Sequence, residues 1–336
     1  MNWKRMGALM AIIYGIMALL PLFVGGTDHL MHILIMCLIW AVVASCWDLI
    51  MGFAGIFSFG QVAFFVIGAY ASAILARTFA IHPLGAMLLA GGVTAVIGVL
   101  VALPCLRLKG AYVALVTFAV HMILEPFLKS DMGRALGTGG SRGILTIPPM
   151  ELFGISFAAG NKVAVFYAAL VLAVVCSLII LLVIRSSWGT AFLALKDSAG
   201  FAASLGVSAF KYKLAVFALT SFLTGLAGGF YAHYIGMLST RMLGIDLFVM
   251  LMIMLVLGGI GQFPGAILGA ILTVACNEAL APLGTYRPMV LGALVVVLVL
   301  ALPDGIIGLL RNLVPGRFAA APAPAGPEAA GPGRQG

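Results

Sequence analysis

Long apolar runs of about 20 residues occupy most of the chain, separated by short stretches rich in glycine, proline or charge. Helical runs of this length match the ~30 Å hydrocarbon core of a bilayer, because each helical residue rises about 1.5 Å. The runs do not alternate in polarity as the strands of a membrane barrel would. The pattern therefore predicts an all-α membrane protein, a polytopic bundle of about ten transmembrane helices. The predicted spans lie near residues 6–24, 30–50, 61–81, 84–104, 111–128, 162–184, 213–236, 247–262, 265–281 and 288–305.

The first run follows Lys4 and Arg5 and could be mistaken for a signal peptide. It is longer than the usual apolar core of such a peptide and ends without an Ala-x-Ala-like cleavage site. We therefore expect it to be kept as the first span. Residues 1–311 then form one transmembrane domain. Residues 312–336, almost entirely Ala, Pro and Gly, cannot bury a core and are expected to form a disordered cytoplasmic tail.

Composition agrees with a membrane protein, since 63% of the 336 residues are hydrophobic and 8% are charged, against roughly 25% charged in soluble domains. The net charge of +8 does not point to nucleic acid, because the basic residues cluster at the ends of the spans. With the N-terminus inside, eleven Lys and Arg residues fall on the inner side and seven on the outer side. The positive-inside rule thus predicts that both termini are cytoplasmic.

Glycine interrupts the apolar pattern at two places, residues 52–61 and residues 258–265. Backbone groups released from a helix at membrane depth must face protein or water, because unpaired polar groups are costly in hydrocarbon. Paired interruptions in two halves of a transporter are typical of a translocation path or gate. The alternative is that these glycines only let helices pack closely.

Five ionisable residues fall inside or near the predicted spans: Asp48, Arg77, His121, Glu125 and Glu278. Ionisable groups inside a membrane are costly and are usually functional or paired. An ion-coupled secondary transporter would need such groups at mid-membrane, yet most of these carboxylates lie near span ends. That class of transporter remains an alternative, as does a structural membrane subunit without a path of its own.

A polar stretch between two apolar runs, residues 185–207, is predicted to form two short helices. The first covers residues 190–196 and the second residues 199–205, with Asp197 and Ser198 providing N-cap chemistry and Gly206 the C-terminal stop. Helices this short cannot span a bilayer. Exposed on the cytoplasmic side, such an amphipathic element is shaped to dock into a groove of another protein. A plain linker between two bundles is the alternative.

The same stretch, with Arg185, Gly189, Lys196, Asp197 and Gly206 at the matching positions, resembles the coupling loop of bacterial ABC-importer permeases of the branched-chain amino acid class. The resemblance is to the LivM-like family and extends over roughly residues 30–310. It differs from the family pattern at Thr190, where Arg is common, and at Ala199, where Glu is common. Further matching segments are residues 55–70, 106–112, 139–144, 213–217, 225–229 and 258–270.

The resemblance implies a type II-like importer half in the bacterial inner membrane. Its partners would be two cytoplasmic ABC ATPase subunits, a second homologous permease and an external solute-binding protein. The coupling loop would cover about residues 185–211. The resemblance assigns ATPase coupling to Arg185, Trp188, Gly189, Leu195, Lys196, Asp197 and Gly206. It places Ser58, Gln61, Gly258, Gly259 and Gln262 near the path or gate.

Nothing in the chain predicts catalysis, a cofactor or a bound metal. It has no G-x-x-x-x-G-K-[ST] loop for nucleotide phosphates, no H-E-x-x-H pair and no G-x-S-x-G nucleophile elbow. The five cysteines are scattered singly, without the clustering that metal sites require. We therefore expect a permease that is not itself an enzyme, with ATP hydrolysis in partner subunits. Branched-chain amino acids are the expected solutes, while urea, short amides and aromatic acids remain alternatives.

Overall fold

The computed structural model describes residues 3–24, 27–108, 110–152, 155–157, 161–286, 289–290, 292–293 and 305–308. Helices dominate this part of the chain. They are α1 (Trp3–Val24), α2 (Asp28–Asp48), α3 (Gln61–Thr78), α4 (Pro83–Cys105), α5 (Ala111–Lys129), α6 (Asp131–Ala135), α7 (Lys162–Arg185), α8 (Ser187–Asp197), α9 (Ala199–Ser204), α10 (Ala209–Ile235), α11 (Ile245–Gly258) and α12 (Gly265–Ala279). Four very short strands are β1 (Ile144–Leu145), β2 (Met150–Leu152), β3 (Ile155–Phe157) and β4 (Met237–Leu238).

Six helical segments in the described residues are long and apolar enough to cross a bilayer, and all six coincide with predicted spans. They are Asp28–Phe53, which is α2 with a π-helical extension, and α3, α4, α5, α7 and α10. Three other predicted spans coincide with shorter apolar helices, Met6–Leu22 within α1, α11 and α12. Since α11 and α12 are only about 21–23 Å long, neither matches the ~30 Å core alone. Most of the tenth predicted span, 288–305, and the whole predicted tail, 312–336, lie outside the described residues.

The centre of the bundle is α2, whose residues from Cys37 to Asp48 are all buried. It packs against α7, α10, α11 and α12. A helix that is apolar on every side is stable only when other helices surround it or lipid does. The sequence of α2, with no charged side chain between Asp28 and Asp48, therefore suits the interior position that it occupies.

The α3, α4 and α10 helices form a second tightly packed group through small residues. Gly68 of α3 lies directly against the backbone of Gly225 in α10, and Gly228 of α10 lies against the carbonyl oxygen of Phe65. On α4, Gly98 contacts the Ser221 side chain of α10. Small residues at such contacts let helix backbones approach closely, which is how helices commonly associate in membranes.

The segment between α5 and α7, residues 130–161, has defined structure in much of its described part. Ser130 caps α6, β1 pairs antiparallel with β4, and β2 pairs with β3. His233 of α10 also holds this segment, since its ring contacts the Pro148 carbonyl oxygen at 2.7 Å and the Ser72 hydroxyl at 2.9 Å. Several of these partners are far away in sequence, so no local periodicity marks the segment as ordered.

Candidate functional site

The polar stretch after α7 forms the two helices α8 and α9, here called the α8–α9 pair. Ser186 caps α8, since its hydroxyl accepts a hydrogen bond from the Trp188 amide at 3.2 Å. Ser198 caps α9 in the same way, accepting from the Phe201 amide at 3.4 Å. Gly206 follows α9 with a φ of +82°. The predicted second helix and its cap are confirmed, whereas the first helix begins three residues earlier than the predicted Thr190.

The buried face of α8 fastens the pair to the bundle through aromatic side chains. Phe192 is almost fully buried, and its ring lies edge-on to Tyr212 of α10, with ring centroids 6.2 Å apart. Trp188 also packs edge-on against Tyr212, at 5.2 Å. Leu195 is buried on the same side, and Gly189 lies against the carbonyl oxygen of Ile184 at the end of α7. The α8–α9 pair is therefore seated on α7 and α10.

Six of the seven predicted coupling residues separate into two groups. Gly189 and Leu195 face the bundle, and Trp188 contributes to the aromatic contact while staying partly exposed. Arg185, Asp197 and Gly206 are exposed. Neither charged side chain of this second group makes a hydrogen bond or ion pair with another described residue. Such residues remain available to a partner that the isolated chain lacks.

Lys196 is the coupling residue that reaches into the bundle. Its side chain is exposed overall, but its ammonium donates a hydrogen bond to the Gly52 carbonyl oxygen at 2.6 Å. Gly52 belongs to the first of the two glycine-rich interruptions. The α8–α9 pair thus contacts the first interruption through Lys196.

The first interruption begins with a π-helical turn, Leu49–Phe53, at the end of α2. The chain then reverses direction and runs beside α2, where the Trp47 indole N–H donates a hydrogen bond to the Ser58 carbonyl oxygen at 2.6 Å. The Phe59 amide donates to the Thr117 hydroxyl of α5 at 2.8 Å. This non-helical segment therefore lies inside protein, and its freed backbone groups find partners there, as the membrane setting requires.

Two predicted path residues follow in this segment, and both are buried. Ser58 has no exposed surface, and Gln61 begins α3 with its amide nitrogen donating to the Thr224 hydroxyl of α10 at 3.0 Å. The Gln61 amide oxygen meets no hydrogen-bond partner within the described residues. Such a buried, unused acceptor is available to a passing polar group or water.

The second interruption joins α11 to α12 and touches the first. The Gly261 amide donates a hydrogen bond to Oδ1 of Asp48 at 2.6 Å. Gly258 packs against Gly265, so this predicted path residue serves the close contact of α11 with α12. Gly259, with a φ of +91°, ends α11, and Gln262 is half-buried in the connecting loop. Gly258 thus fits the alternative in which glycine only lets helices pack closely. The loop that follows it contacts α2 through Asp48.

An apolar cavity of about 350 Å³ opens beside the first interruption. Its walls come from the start of α5, the first interruption and α11, through Phe59, Ala111, Ala114, Leu115, Phe118 and Phe248. The rings of Phe59 and Phe118 each lie edge-on to Phe248, with centroids 5.4 Å apart. Its volume falls within the range of small-molecule sites, and its lining suits an aliphatic side chain better than a charge.

The ionisable candidates have separate surroundings and do not form one cluster. Glu125 pairs with Lys129 at 2.6 Å, and Glu278 pairs with His29 at 3.2 Å. His121 is buried with its ring near those of Phe118 and Phe248, and Arg77 is exposed near the end of α3. Among these candidates, Asp48 contacts the second interruption through its hydrogen bond with the Gly261 amide. The connection from Gly261 through Asp48 and Gly52 to Lys196 was not evident from sequence, because Asp48 and Gly261 are 213 residues apart and Gly52 and Lys196 are 144 apart.

Comparison with known proteins agrees with this arrangement. A family model described as "Branched-chain amino acid transport system / permease component" matches residues 29–302. The permease protein LivM of the high-affinity branched-chain amino acid transport system of Salmonella typhimurium strain LT2 is 28% identical over 297 residues, which cover 82% of this chain and 69% of that protein.

The LivM protein of Escherichia coli strain K12 is 28% identical over 295 residues, with the same two coverages of 82% and 69%. No solved structure matches the chain significantly. The family match spans α2 through α12 and includes both interruptions and the α8–α9 pair. The chain therefore belongs to the family of permease components of branched-chain amino acid transport systems.

Proposed function

We propose that this chain is the membrane-spanning permease subunit of an ABC importer. Together with a second homologous permease it forms the path for branched-chain amino acids or a related small amphipathic solute. The observation that carries this proposal is the α8–α9 pair, a short helical element seated on the bundle and joined through Lys196 to an interruption in the predicted path. An element placed in this way can pass movement from an attached ATPase to the membrane helices.

The outward side of the α8–α9 pair has the character of a docking surface. Phe201 is 66% exposed and Leu205 is 68% exposed, on a helix too short to be stable without a partner or the bundle. Exposed apolar residues next to polar ones commonly mark contacts with another protein. We assign this side to the groove of a cytoplasmic ABC ATPase, one of two in the assembly.

The remaining parts of the assembly follow from the same proposal. Both termini are cytoplasmic, in agreement with the distribution of Lys and Arg, and the membrane is the bacterial plasma membrane. The second permease covers the apolar cavity next to Phe59 and the exposed face of α5. A binding protein delivers the solute at the opposite end of the bundle from the α8–α9 pair. The apolar lining of the cavity supports a solute with an aliphatic side chain.

The test is uptake of radiolabelled leucine into proteoliposomes that contain the purified assembly, with binding protein outside and ATP inside. We expect uptake that needs ATP and continues when an uncoupler collapses the proton gradient. Uptake that stops with the uncoupler and ignores ATP depletion would instead establish an ion-coupled secondary transporter. Competition by isoleucine, valine, urea and short amides identifies the solute class.

We expect the double variant Phe201→Ser, Leu205→Ser to lose ATPase subunits during purification, because it removes apolar contact area from the docking surface. Fold stability should change little, since both side chains are exposed. Quantitative mass spectrometry of the purified assembly measures the bound ATPase. The matched control is Met132→Ser, an equally exposed position at the other end of the bundle, which should keep full ATPase occupancy. Equal occupancy in both variants would place the docking surface elsewhere.

A further inference from the structure

The two glycine-rich interruptions are brought into direct contact by the end of α2. Asp48 is fully buried, and its Oδ1 accepts a hydrogen bond from the Gly261 amide at 2.6 Å. Four residues further on, Gly52 lies so close to Gly261 that a Cβ there would meet the Gly261 Cα at 2.6 Å. The loop between α11 and α12 is therefore held against the π-helical turn by a hydrogen bond and by backbone packing.

The same turn is held from the other side by Lys196 of α8. Its ammonium donates to the Gly52 carbonyl oxygen at 2.6 Å, and its aliphatic stem covers Gly55. A Cβ at Gly55 would lie 2.7 Å from Cγ of Lys196. Gly55 also has a φ of +66°, which disfavours any other residue. Lys196 thus contacts both ends of the segment from Gly52 to Gly55, with its ammonium at Gly52 and its aliphatic stem at Gly55.

These contacts join three elements in series, α8, the π-helical turn of α2, and the loop between α11 and α12. A π-helical turn is a weak point in a helix, because its hydrogen-bond pattern departs from that of the regular turns on one side. Hydrogen bonds to charged groups are stronger than neutral ones, so the Lys196 ammonium holds the turn more firmly than backbone packing alone, and the Asp48 carboxyl adds a hydrogen bond to the α11–α12 loop. Besides its seat on α7 and α10, α8 therefore contacts the bundle at this turn.

We infer that Lys196 and Asp48 are positioning residues that tie the α8–α9 pair to both interruptions, so that displacement of α8 moves the π-helical turn and the α11–α12 loop together. This inference rests on the proposed function, because it takes the α8–α9 pair as the element that an ATPase moves. It adds Asp48, which is not part of the coupling loop, to the residues that link ATP hydrolysis to opening of the path.

The test compares paired variants in the full reconstituted assembly. Lys196→Met keeps the aliphatic stem and removes the donor, whereas Lys196→Arg keeps a charged donor. Asp48→Leu keeps the branched shape and removes the acceptor, although its methyl groups take more room than the carboxyl oxygens, whereas Asp48→Asn keeps an acceptor for the Gly261 amide. The control is Lys213→Met on α10, since the Lys213 ammonium makes no hydrogen bond or ion pair within the described residues.

The measured quantity is leucine imported per ATP hydrolysed, together with ATPase occupancy and thermal stability of the assembly. We expect Lys196→Met and Asp48→Leu to lower this ratio severalfold, because ATP is then hydrolysed without the turn and the loop following α8. Lys196→Arg and Asp48→Asn should recover most of it, and Lys213→Met should match the wild type. ATPase occupancy should stay complete in Lys196→Met.

The outcomes separate the two proposals. If the wild type shows no ATP-dependent uptake, the proposed function itself fails. If the wild type is driven by ATP but Lys196→Met imports as much per ATP as Lys213→Met, the inference is overturned and the proposed function stands. Loss of ATPase occupancy in Lys196→Met would also overturn it, because Lys196 would then hold the partner and not transmit its movement. If Asp48→Leu fails to assemble, the comparison of Lys196→Met with Lys196→Arg decides the result.

Discussion

The variant Gly228→Val is expected not to accumulate as a folded protein in the membrane. Gly228 of α10 faces the Phe65 carbonyl oxygen of α3, and a Cβ there would also lie 3.0 Å from the Ala69 amide nitrogen. Both neighbours belong to the helix backbone, so the clash is relieved only when α3 and α10 separate. Overpacking typically costs about 1–3 kcal/mol when side chains can adjust, and here they cannot.

The measurement for Gly228→Val is the amount of monodisperse protein recovered from membranes in mild detergent, with a tagged chain expressed at low level. Gly92→Val is the matched control. Gly92 lies on the neighbouring helix α4, and a Cβ there would meet nothing within 4 Å. We expect wild-type recovery for Gly92→Val and a loss of most recovery for Gly228→Val. Equal recovery of the two variants would mean that α3 and α10 are not packed as closely as described.

The variant Phe192→Ala is expected to detach the α8–α9 pair from the bundle and to abolish ATP-dependent uptake while the membrane helices stay folded. Phe192 is buried against Trp188 and Tyr212, and truncating a buried Phe costs about 3–5 kcal/mol. The α8 helix has only 11 residues, and isolated helices of that length are marginal in water. It therefore cannot remain helical without this contact.

Hydrogen exchange measured by mass spectrometry tests this expectation. Exchange should become fast in α8 and α9 of Phe192→Ala, while α10 keeps its protection. Leu193→Ala is the control, because Leu193 is the next residue on α8 but is exposed, and it should keep the protection of the pair. Unchanged protection in Phe192→Ala would show that the pair is held by other contacts.

Much of the helical framework could be predicted from sequence, because a bilayer imposes long apolar runs that are visible without any alignment. The second helix of the coupling segment was also predictable, since Ser198 and Gly206 mark its ends by local chemistry. The start of α8 was predicted three residues too late, although Ser186 marks it by the same kind of local capping chemistry. These features depend on neighbours along the chain.

The candidate site was less predictable because its geometry depends on residues that are distant in sequence. Lys196 and Gly52 are 144 residues apart, and Asp48 and Gly261 are 213 apart. Sequence marked the two glycine-rich interruptions and Asp48 separately, but no local pattern says that they touch. Gly258 shows a second difficulty, because the sequence does not distinguish a glycine that forms a gate from a glycine that lets two helices pack closely.

The length of α10 has a mechanical consequence. This helix of 27 residues is about 40 Å long, with Tyr212 against α8 near one end and His233 holding the Pro148 segment near the other. A stiff rod of this kind acts as a lever between the two faces of the membrane, and a tilt of about 5° shifts one end by about 3.5 Å relative to the other. In the importer proposed above, solute arrival at one face and nucleotide events at the other therefore act on the same helix.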